Sequence, residues 1–355
     1  MSAHCENKQA HNLSIIGAGL TGLLLARQAN LTANATIALY DDGGVRPDHV
    51  WGYWDNGEAF LDAPRQLGKG AWLNWLIAAP GGEAVLRGNT ARYRAVSSKN
   101  YEAMLQESTK ARVTVIDRPF DAAVDDKATN VIFDTAHYAA PKNAMLQHFG
   151  GVEVMADRPC FDASTAVLMD FRVTQEYGIH FIYLLPFSET EALVESTMFS
   201  SKPRPEAWYQ EQISSYLAAH YPGVSFSHGA QENGIIPMAR LRHTGPGIGV
   251  GLAGGALRAS SGYAFYQIHR QVSRLRVPDH QSPQAGNSRV ESWMDGVFLR
   301  ALSRYPARAP QIFLAMARHL KGDEFARFMN GHASLGLLLK VILAVPKWPF
   351  IRSIL

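Results

Sequence analysis

Three glycines near the start of the chain, Gly17, Gly19 and Gly22, have the spacing G-x-G-x-x-G within Leu13-Ser14-Ile15-Ile16-Gly17-Ala18-Gly19-Leu20-Thr21-Gly22. The chemistry of such a turn is anion binding. The first glycine permits a tight turn, the second lets the backbone approach a diphosphate, and the third lets helix and strand pack closely. The diphosphate rests on unpaired N–H groups at the helix N-terminus, where the helix dipole favours negative charge. Asp41, about 20 residues further on, stands where a dinucleotide fold places an acid on a ribose hydroxyl. The competing reading is an ordinary strand–helix–strand turn with incidental glycines. The order strand, glycine turn, helix, second strand over Thr36–Tyr40 and acid favours the dinucleotide.

Aromatic rings form the next group. Val50-Trp51-Gly52-Tyr53-Trp54 places Trp51, Tyr53 and Trp54 within four residues, and Trp72 and Trp75 follow. Such rings either line an apolar tunnel, with their negative faces toward a cation, or pack in a core. A second glycine-rich stretch, Gly245 to Gly255, ends in the pair Gly254-Gly255 and is followed by Ser260-Ser261-Gly262-Tyr263. A strand running into paired glycines and then a helix again turns backbone N–H groups toward an anion; alone, the stretch also reads as a flexible loop.

Other chemistries lack support. Net charge is +3 across 355 residues, with no basic run interleaved with aromatics, which argues against nucleic acid. Cys5 and Cys160 are far apart and form no C-x-x-C, and the thirteen histidines are scattered, so neither a disulfide scaffold nor a metal site is expected. The polar stretch Met1 to His11 has no signal-peptide core, and no run of about 20 apolar residues exists, which predicts a cytoplasmic protein without a membrane span.

The elements that must position these groups fall into three blocks. The length suits two interleaved domains. Strands at 112–116 and 130–133, the latter closed by Asp134, extend the nucleotide-binding sheet, and a helix lies near 99–108. From about Val152 strands dominate, at 165–172, 179–185, 192–196 and 234–238, with an amphipathic helix at 205–221. Ile179–Leu185 is nearly continuous apolar sequence, as expected of a strand covered on both faces. The polar stretch 276–288 is a connector, and helices follow at 293–303, 309–319, 324–329 and 335–344. The expected architecture is α/β: a Rossmann-like domain (12–150 with 230–275) interleaved with a mainly antiparallel β substrate domain (50–110 and 151–230), then a helical C-terminal region (289–355). In that region the apolar Leu335–Val345 runs into Pro346–Arg352. There Lys340, Lys347 and Arg352 around Trp348 and Phe350 suit either a membrane interface or a helix packed on the body.

The chain from about residue 12 to its end resembles the bacterial flavin-dependent lycopene β-cyclases of carotenoid biosynthesis. The resemblance rests on Val50–Trp54, Leu168-Met169-Asp170-Phe171, Tyr183–Ser188, Leu193-Val194-Glu195-Ser196-Thr197 and Glu232–Met238. Gly254-Gly255 through Tyr263, Met294-Asp295 with Phe298-Leu299, Arg327-Phe328-Met329 and Leu343–Phe350 complete it. It implies FAD in its reduced form, with NAD(P)H as reductant, and lycopene or a similar linear carotenoid as substrate. It also implies attachment to the inner face of the membrane and a reaction without net redox change. The first glycine motif, with Ala18, Leu20 and Thr21 between its glycines, would hold FAD with Asp41; Gly254, Gly255, Gly262 and Tyr263 would close the site over the ribityl chain and ring.

Glu195 matches the first acid of the family's Phe-Leu-Glu-Glu-Thr motif and is the implied proton donor; beside a flavin and a polyene its carboxyl should stay protonated. Ser196 replaces the frequent second acid, which puts a two-carboxylate relay in doubt. Asp170 and Glu232 either hold the proton network or fix a strand end or loop. Trp51, Tyr53, Trp54 and Tyr183 are expected along the substrate, with core packing the alternative for Tyr183. Two rival functions fit the same fold: an FAD-dependent redox enzyme acting on an isoprenoid, and a cyclase of another polyprenyl chain.

Overall fold

The structure is a computed structural model that describes residues 13–32, 36–44, 46–125, 131–276 and 288–354. The N-terminal stretch with Cys5, Asn130 and most of the 276–288 connector lie outside these residues. The chain opens with β1 (Leu13–Ile16), α1 (Leu20–Thr32) and β2 (Ile37–Asp41). It continues through β3 (Val50–Asp55), α2 (Asp62–Gln66), β4 (Gly68–Trp72), β5 (Asn74–Ala79), β6 (Gly82–Arg87), β7 (Arg92–Ser97) and α3 (Ser98–Thr109). Then come β8 (Val113–Asp117), α4 (Ala122–Asp125), β9 (Val131–Asp134), β10 (Tyr138–Ala139), β11 (Met145–Ala156), β12 (Thr165–Asp170), β13 (Ile179–Pro186) and β14 (Glu191–Ser200). The last part holds α5 (Glu206–His220), β15 (Phe226–Met238), β16 (Arg242–His243), β17 (Ile248–Gly249), α6 (Phe265–Arg274), α7 (Arg289–Arg304), α8 (Ala309–His319), α9 (Gly322–Met329), α10 (Leu335–Ala344) and α11 (Lys347–Ile354).

Four sheets result. A parallel five-stranded sheet runs β17-β9-β1-β2-β8, with β1 between β2 and β9 as in a dinucleotide-binding fold. Its central strands β1 and β2 are almost wholly buried, and α1, α3 and α6 cover one side: Leu23, Leu25, Tyr101, Leu105 and Ile268 share a core with Leu13, Ile15 and Leu39. A seven-stranded sheet, β15-β11-β14-β13-β12-β5-β6, is antiparallel except for the β12–β5 pair. This α/β arrangement is the one the sequence predicts. Within the long sheet β11 begins at Met145, earlier than the change of pattern at Val152, β14 extends to Ser200, and β5 and β6 join from earlier in the chain. A three-stranded sheet, β3-β7-β4, and a two-stranded pair, β10-β16, complete the set.

Strand alternation divides the seven-stranded sheet chemically. On one face, Phe181, Leu185, Leu193 and Phe199 pack with Trp54, Trp72, Trp75 and Tyr93 and with Ile312 and Leu314 of α8. On the other, Ile182, Leu184 and Val194 pack against Ile213, Tyr216 and Leu217 of α5. Both faces of β13 are therefore covered, which explains its unbroken apolar run. Losing one of the fully buried tryptophans would cost about 3–5 kcal/mol.

Helix ends are fixed locally. The Ser97 hydroxyl accepts from the Asn100 N–H at 3.2 Å to start α3, and Ser334 does the same for Leu337 at 3.3 Å to start α10. Ser288 and Glu291 form a reciprocal capping box on α7.

Candidate active site

A single cavity of about 900 Å³ runs from the carboxyl ends of β1, β2 and β9 to the apolar face of the seven-stranded sheet. That is where open α/β sheets hold ligands. Its first part is lined by Ile16 through Thr21, Tyr40 to Asp42, Arg46 and Thr135 to Tyr138; its inner part by Trp51, Trp54, Tyr93, Leu168, Tyr183, Glu195, Glu232, Tyr263 and the α8 and α9 residues Phe313, Met316, Phe325 and Met329.

At the glycine end, Gly17 has φ +94°, and a Cβ there would lie 2.6 Å from the Thr135 hydroxyl. A Cβ on Gly19 would meet no protein atom within 4 Å: this backbone faces open space in the cavity. A Cβ on Gly22 would sit 1.9 Å from the Gly17 carbonyl oxygen, so the third glycine packs helix on strand and leaves the cavity lining to the other two. Asp41 accepts from the Arg46 guanidinium at 2.5 Å, which also donates to the Ala18 carbonyl at 2.7 Å. Farther in, Gln147 Oε1 and Ser261 Oγ are buried without a hydrogen-bond partner and both belong to the lining. Unsatisfied polar atoms against a cavity wall are what a bound polar ligand would pair with. The residues present thus fit a dinucleotide with a polar ring system.

At the inner end the sheet register assembles two carboxyls. Glu195 of β14 and Glu232 of β15 both lie opposite Gly151 of the intervening β11. A Cβ on Gly151 would come within 2.8 Å of Glu195 Cγ and 3.2 Å of Glu232 Cγ. Burial, and then the neighbouring Glu232 as charge and hydrogen-bond partner, push the Glu195 carboxyl well above the usual carboxylate range. The Thr197 hydroxyl donates weakly to Glu195 at 3.4 Å. Glu232 Oε2 accepts the Val50 N–H at 2.8 Å and lies 3.7 Å from the His49 imidazole Nδ1. The arrangement can hold a neutral acid in an apolar wall beside a carboxylate with polar partners.

Three tyrosine hydroxyls gather close by. Tyr93 bonds to Tyr183 at 2.9 Å and to Tyr263 at 3.0 Å. Gly52 gives them room, since a Cβ there would fall 2.1 Å from the Tyr93 hydroxyl and 2.7 Å from that of Tyr183. Burial raises the phenol of Tyr263 to about 12, and those of Tyr93 and Tyr183 further. All three stay neutral hydrogen-bonding groups at the cavity wall.

Several sequence-selected residues lie elsewhere. Asp170 projects to the opposite face of the sheet, where Arg172 holds it at 2.7 and 2.9 Å and the Tyr216 hydroxyl of α5 donates at 2.9 Å; it does not line the cavity. The bulge after Val167 puts it on that face. Tyr53 stacks on Phe265 at 4.7 Å in the core beneath α6, because it alternates with Gly52 and Trp54 along β3. Trp51 and Trp54 do reach the cavity.

The paired glycines are also corrected. Gly254 packs against the Gly249 carbonyl, and neither it nor Gly255 lines the cavity. No helix follows them directly: α6 starts only at Phe265, so Ser260 to Phe265 provide the late wall, with Gly262 (φ +69°) and Tyr263 among them. Ser196 points away from Glu195 and bonds to His180 at 2.9 Å, so the substitution there leaves the cavity untouched.

Sequence reasoning missed His49, Tyr93 and Gly151. Tyr93 carried a signal in the alternating Arg92-Tyr93-Arg94, an inward ring between outward cations. Gly151 and His49 gain their meaning only from strand pairing.

Residues 12–355 match the sequence model of the family described as "Lycopene cyclase protein". The lycopene beta-cyclase of Paracoccus sp. is 30% identical over 228 residues, covering 58% of this chain and 57% of that protein, so the match spans a little over half of that relative's length. The lycopene beta-cyclase of Pantoea ananas is 23% identical, with 97% of each chain covered. Among solved structures, a geranylgeranyl bacteriochlorophyll reductase-like protein from Thermoplasma acidophilum is similar, with 14% identity, a TM-score of 0.56 and coverage of 97% of this chain and 98% of that one. So is the flavin-dependent brominase Bmp2, with 12% identity, TM-score 0.57 and coverage of 90% and 93%. Halogenase PltM in complex with phloroglucinol and FAD follows at 11%, 0.51, and 94% and 82%. At these identities the likeness is one of fold.

Proposed function

The chain belongs to the lycopene cyclase family, and from that premise we propose that it closes the linear ends of lycopene into β-ionone rings by acid catalysis, with reduced FAD bound and no net redox change. One observation carries this reading. Glu195, held neutral by burial and by Glu232, faces an apolar cavity continuous with a dinucleotide cradle. Proton transfer to a double bond is what a buried neutral acid in that place can do.

When bound, reduced FAD supplies negative charge near the developing cation. Gly17 to Thr21 and Asp41 hold its dinucleotide part, and Gln147, Ser261, Gly262 and Tyr263 meet the ring end. NAD(P)H is the proposed source of reducing equivalents, used to prime the flavin only. Glu195 gives its proton to the terminal double bond of the substrate. The tertiary cation so formed is attacked by the neighbouring double bond, closing a six-membered ring, and a ring proton is lost to the carboxylate pair. Bonds are rearranged and composition is unchanged: the reaction is an isomerisation. Trp51, Trp54 and the tyrosine group present electron-rich faces and exclude water that would quench the cation.

The substrate enters from a membrane surface in this reading. Among the described residues no helix is long and apolar enough to span a bilayer. Yet Leu335, Leu339, Ile342 and Leu343 of α10 and Trp348 and Ile351 of α11 are all exposed, Leu335 by 80%. Lys347 donates to the Ile342 and Leu343 carbonyls at the end of α10, and Arg352 lies over Trp348 at 4.9 Å. An apolar patch with aromatic and cationic edges suits an interfacial helix.

The decisive experiment incubates anaerobically reduced, FAD-loaded protein with lycopene in liposomes. A monocyclic or bicyclic product of unchanged mass is expected. An oxygenated or hydrogenated product overturns the assignment.

A further inference from the structure

We propose that His49 is the solvent-side member of a proton path, His49–Glu232–Glu195, that recharges the buried acid. The inference rests on the cyclisation reading above and adds a positioning and proton-transfer residue to it.

The two oxygens of Glu232 face different groups. Oε2 takes the Val50 N–H at 2.8 Å and lies 3.7 Å from His49 Nδ1. Oε1 is on the Gly151 side, 3.5 Å from where a Cβ would stand, with the Glu195 side chain against the same point. A carboxylate so placed takes a proton on one side and, once turned over, releases it on the other. The His49 side chain is the more open of the two, 30% exposed against 6% for Glu232, and it also lines the cavity. His49 is also fixed in place. Its N–H donates to the Ser98 hydroxyl at 2.8 Å, and its carbonyl accepts the Ser98 N–H at 2.7 Å.

Three acidic groups act on His49: Glu232 on β15, Asp48 beside it and Glu102 on α3. The Glu232 carboxylate 3.7 Å away, with these charges, raises the imidazole above its ordinary range against the opposing effect of burial. An imidazole that sits between solvent and a buried acid is suited to shuttling protons. Glu195 loses a proton to the double bond; protonated His49 passes one to Glu232, whose carboxyl turns over and hands it to Glu195; the ring proton is then taken by the Glu232 carboxylate and returned to the neutral His49, so each group ends as it began.

The test follows proton exchange directly, without turnover. FAD-loaded protein is mixed rapidly with D2O, and the C=O stretch of the protonated carboxyl is followed by infrared spectroscopy, the band being assigned by its absence in Glu195→Gln. In His49→Ala the exchange rate should fall about tenfold or more, of the order lost with a positioned acid–base group, and added imidazole should restore it. An unchanged rate, a slowed rate that imidazole does not restore, or no Glu195-dependent band in the parent protein overturns the proposal. Lycopene turnover by the same samples separates the two readings: exchange governed by His49 without cyclisation removes only the cyclase function, and cyclisation with exchange indifferent to His49 removes only the path.

Discussion

Glu195 and Glu232 stand two strands apart yet share one pocket of space, because the residue between them, Gly151, has no side chain. In the proposed mechanism this close approach makes the two strand glutamates an acid and its regulator. Gly151→Ala places a methyl group 2.8 Å from Glu195 Cγ, and one carboxyl must swing away. We expect cyclisation to fall about a hundredfold, the cost of misplacing a catalytic group by about an ångström, while flavin content measured by absorbance is unchanged. Full activity in this variant would mean that the pair does not act together.

Glu195→Gln should abolish ring formation and keep the flavin. The same variant tests the protonation state through stability. A carboxyl whose folded pKa is raised contributes stability below its unfolded pKa of about 4.5 and loses it as pH rises toward the folded value. The parent protein should therefore weaken relative to Glu195→Gln from pH 5 to pH 8. Denaturant titrations at several pH values read the difference; parallel curves would show that Glu195 ionises normally.

Gly19 and Gly22 make a discriminating pair. A Cβ at Gly19 enters open cavity space, so Gly19→Ala should leave apoprotein stability within about 1 kcal/mol and weaken FAD binding. A Cβ at Gly22 collides with the Gly17 carbonyl at 1.9 Å, so Gly22→Ala should destabilise the apoprotein by about 1–3 kcal/mol or more. Calorimetry with and without FAD separates the two effects.

The exposed face of α10 gives a further prediction. Leu339→Glu with Leu343→Glu should lower partition into vesicles about tenfold or more for each leucine, since fully burying one is worth roughly 1.5–3 kcal/mol. Cosedimentation with vesicles measures it, and turnover of detergent-solubilised lycopene should persist. Equal partition would place the membrane contact elsewhere.

The nucleotide-binding end was legible in the sequence because its determinants are local. Three glycines, an apolar strand and an acid at a fixed interval describe one β1–α1–β2 unit, and each glycine's job follows from its place in the turn. Glu195 was legible only through family resemblance; nothing in Leu193–Thr197 by itself separates an acid in a cavity from one on a surface. What escaped was whatever depended on register. One bulge in β12 moves Asp170 to the α5 face, strand alternation turns Tyr53 and Ser196 away, and Gly151 acquires its importance from neighbours 44 and 81 positions along the chain. Ser196 bonds to His180, and the carboxyl beside Glu195 is that of Glu232 on another strand. Gly254 and Gly255 misled because glycines serve tight backbone packing, as Gly254 does, or a positive-φ turn, as Gly255 does, as readily as they serve a ligand.

The cavity draws its walls from Ile16 near the start of the chain and from Met329 near its end. During synthesis the glycine turn leaves the ribosome long before α8 and α9 exist to cover the apolar face of the seven-stranded sheet. Until then Phe181, Phe199 and the tryptophans of the central core lack part of their cover, and the parallel sheet lacks β17 at one edge. Contacts so distant in sequence close slowly and expose sticky surface meanwhile. Biogenesis of this protein is therefore a race between completion of the C-terminal helices and aggregation of the unfinished chain, and shorter C-terminal truncations should be lost to insolubility before they are lost to inactivity.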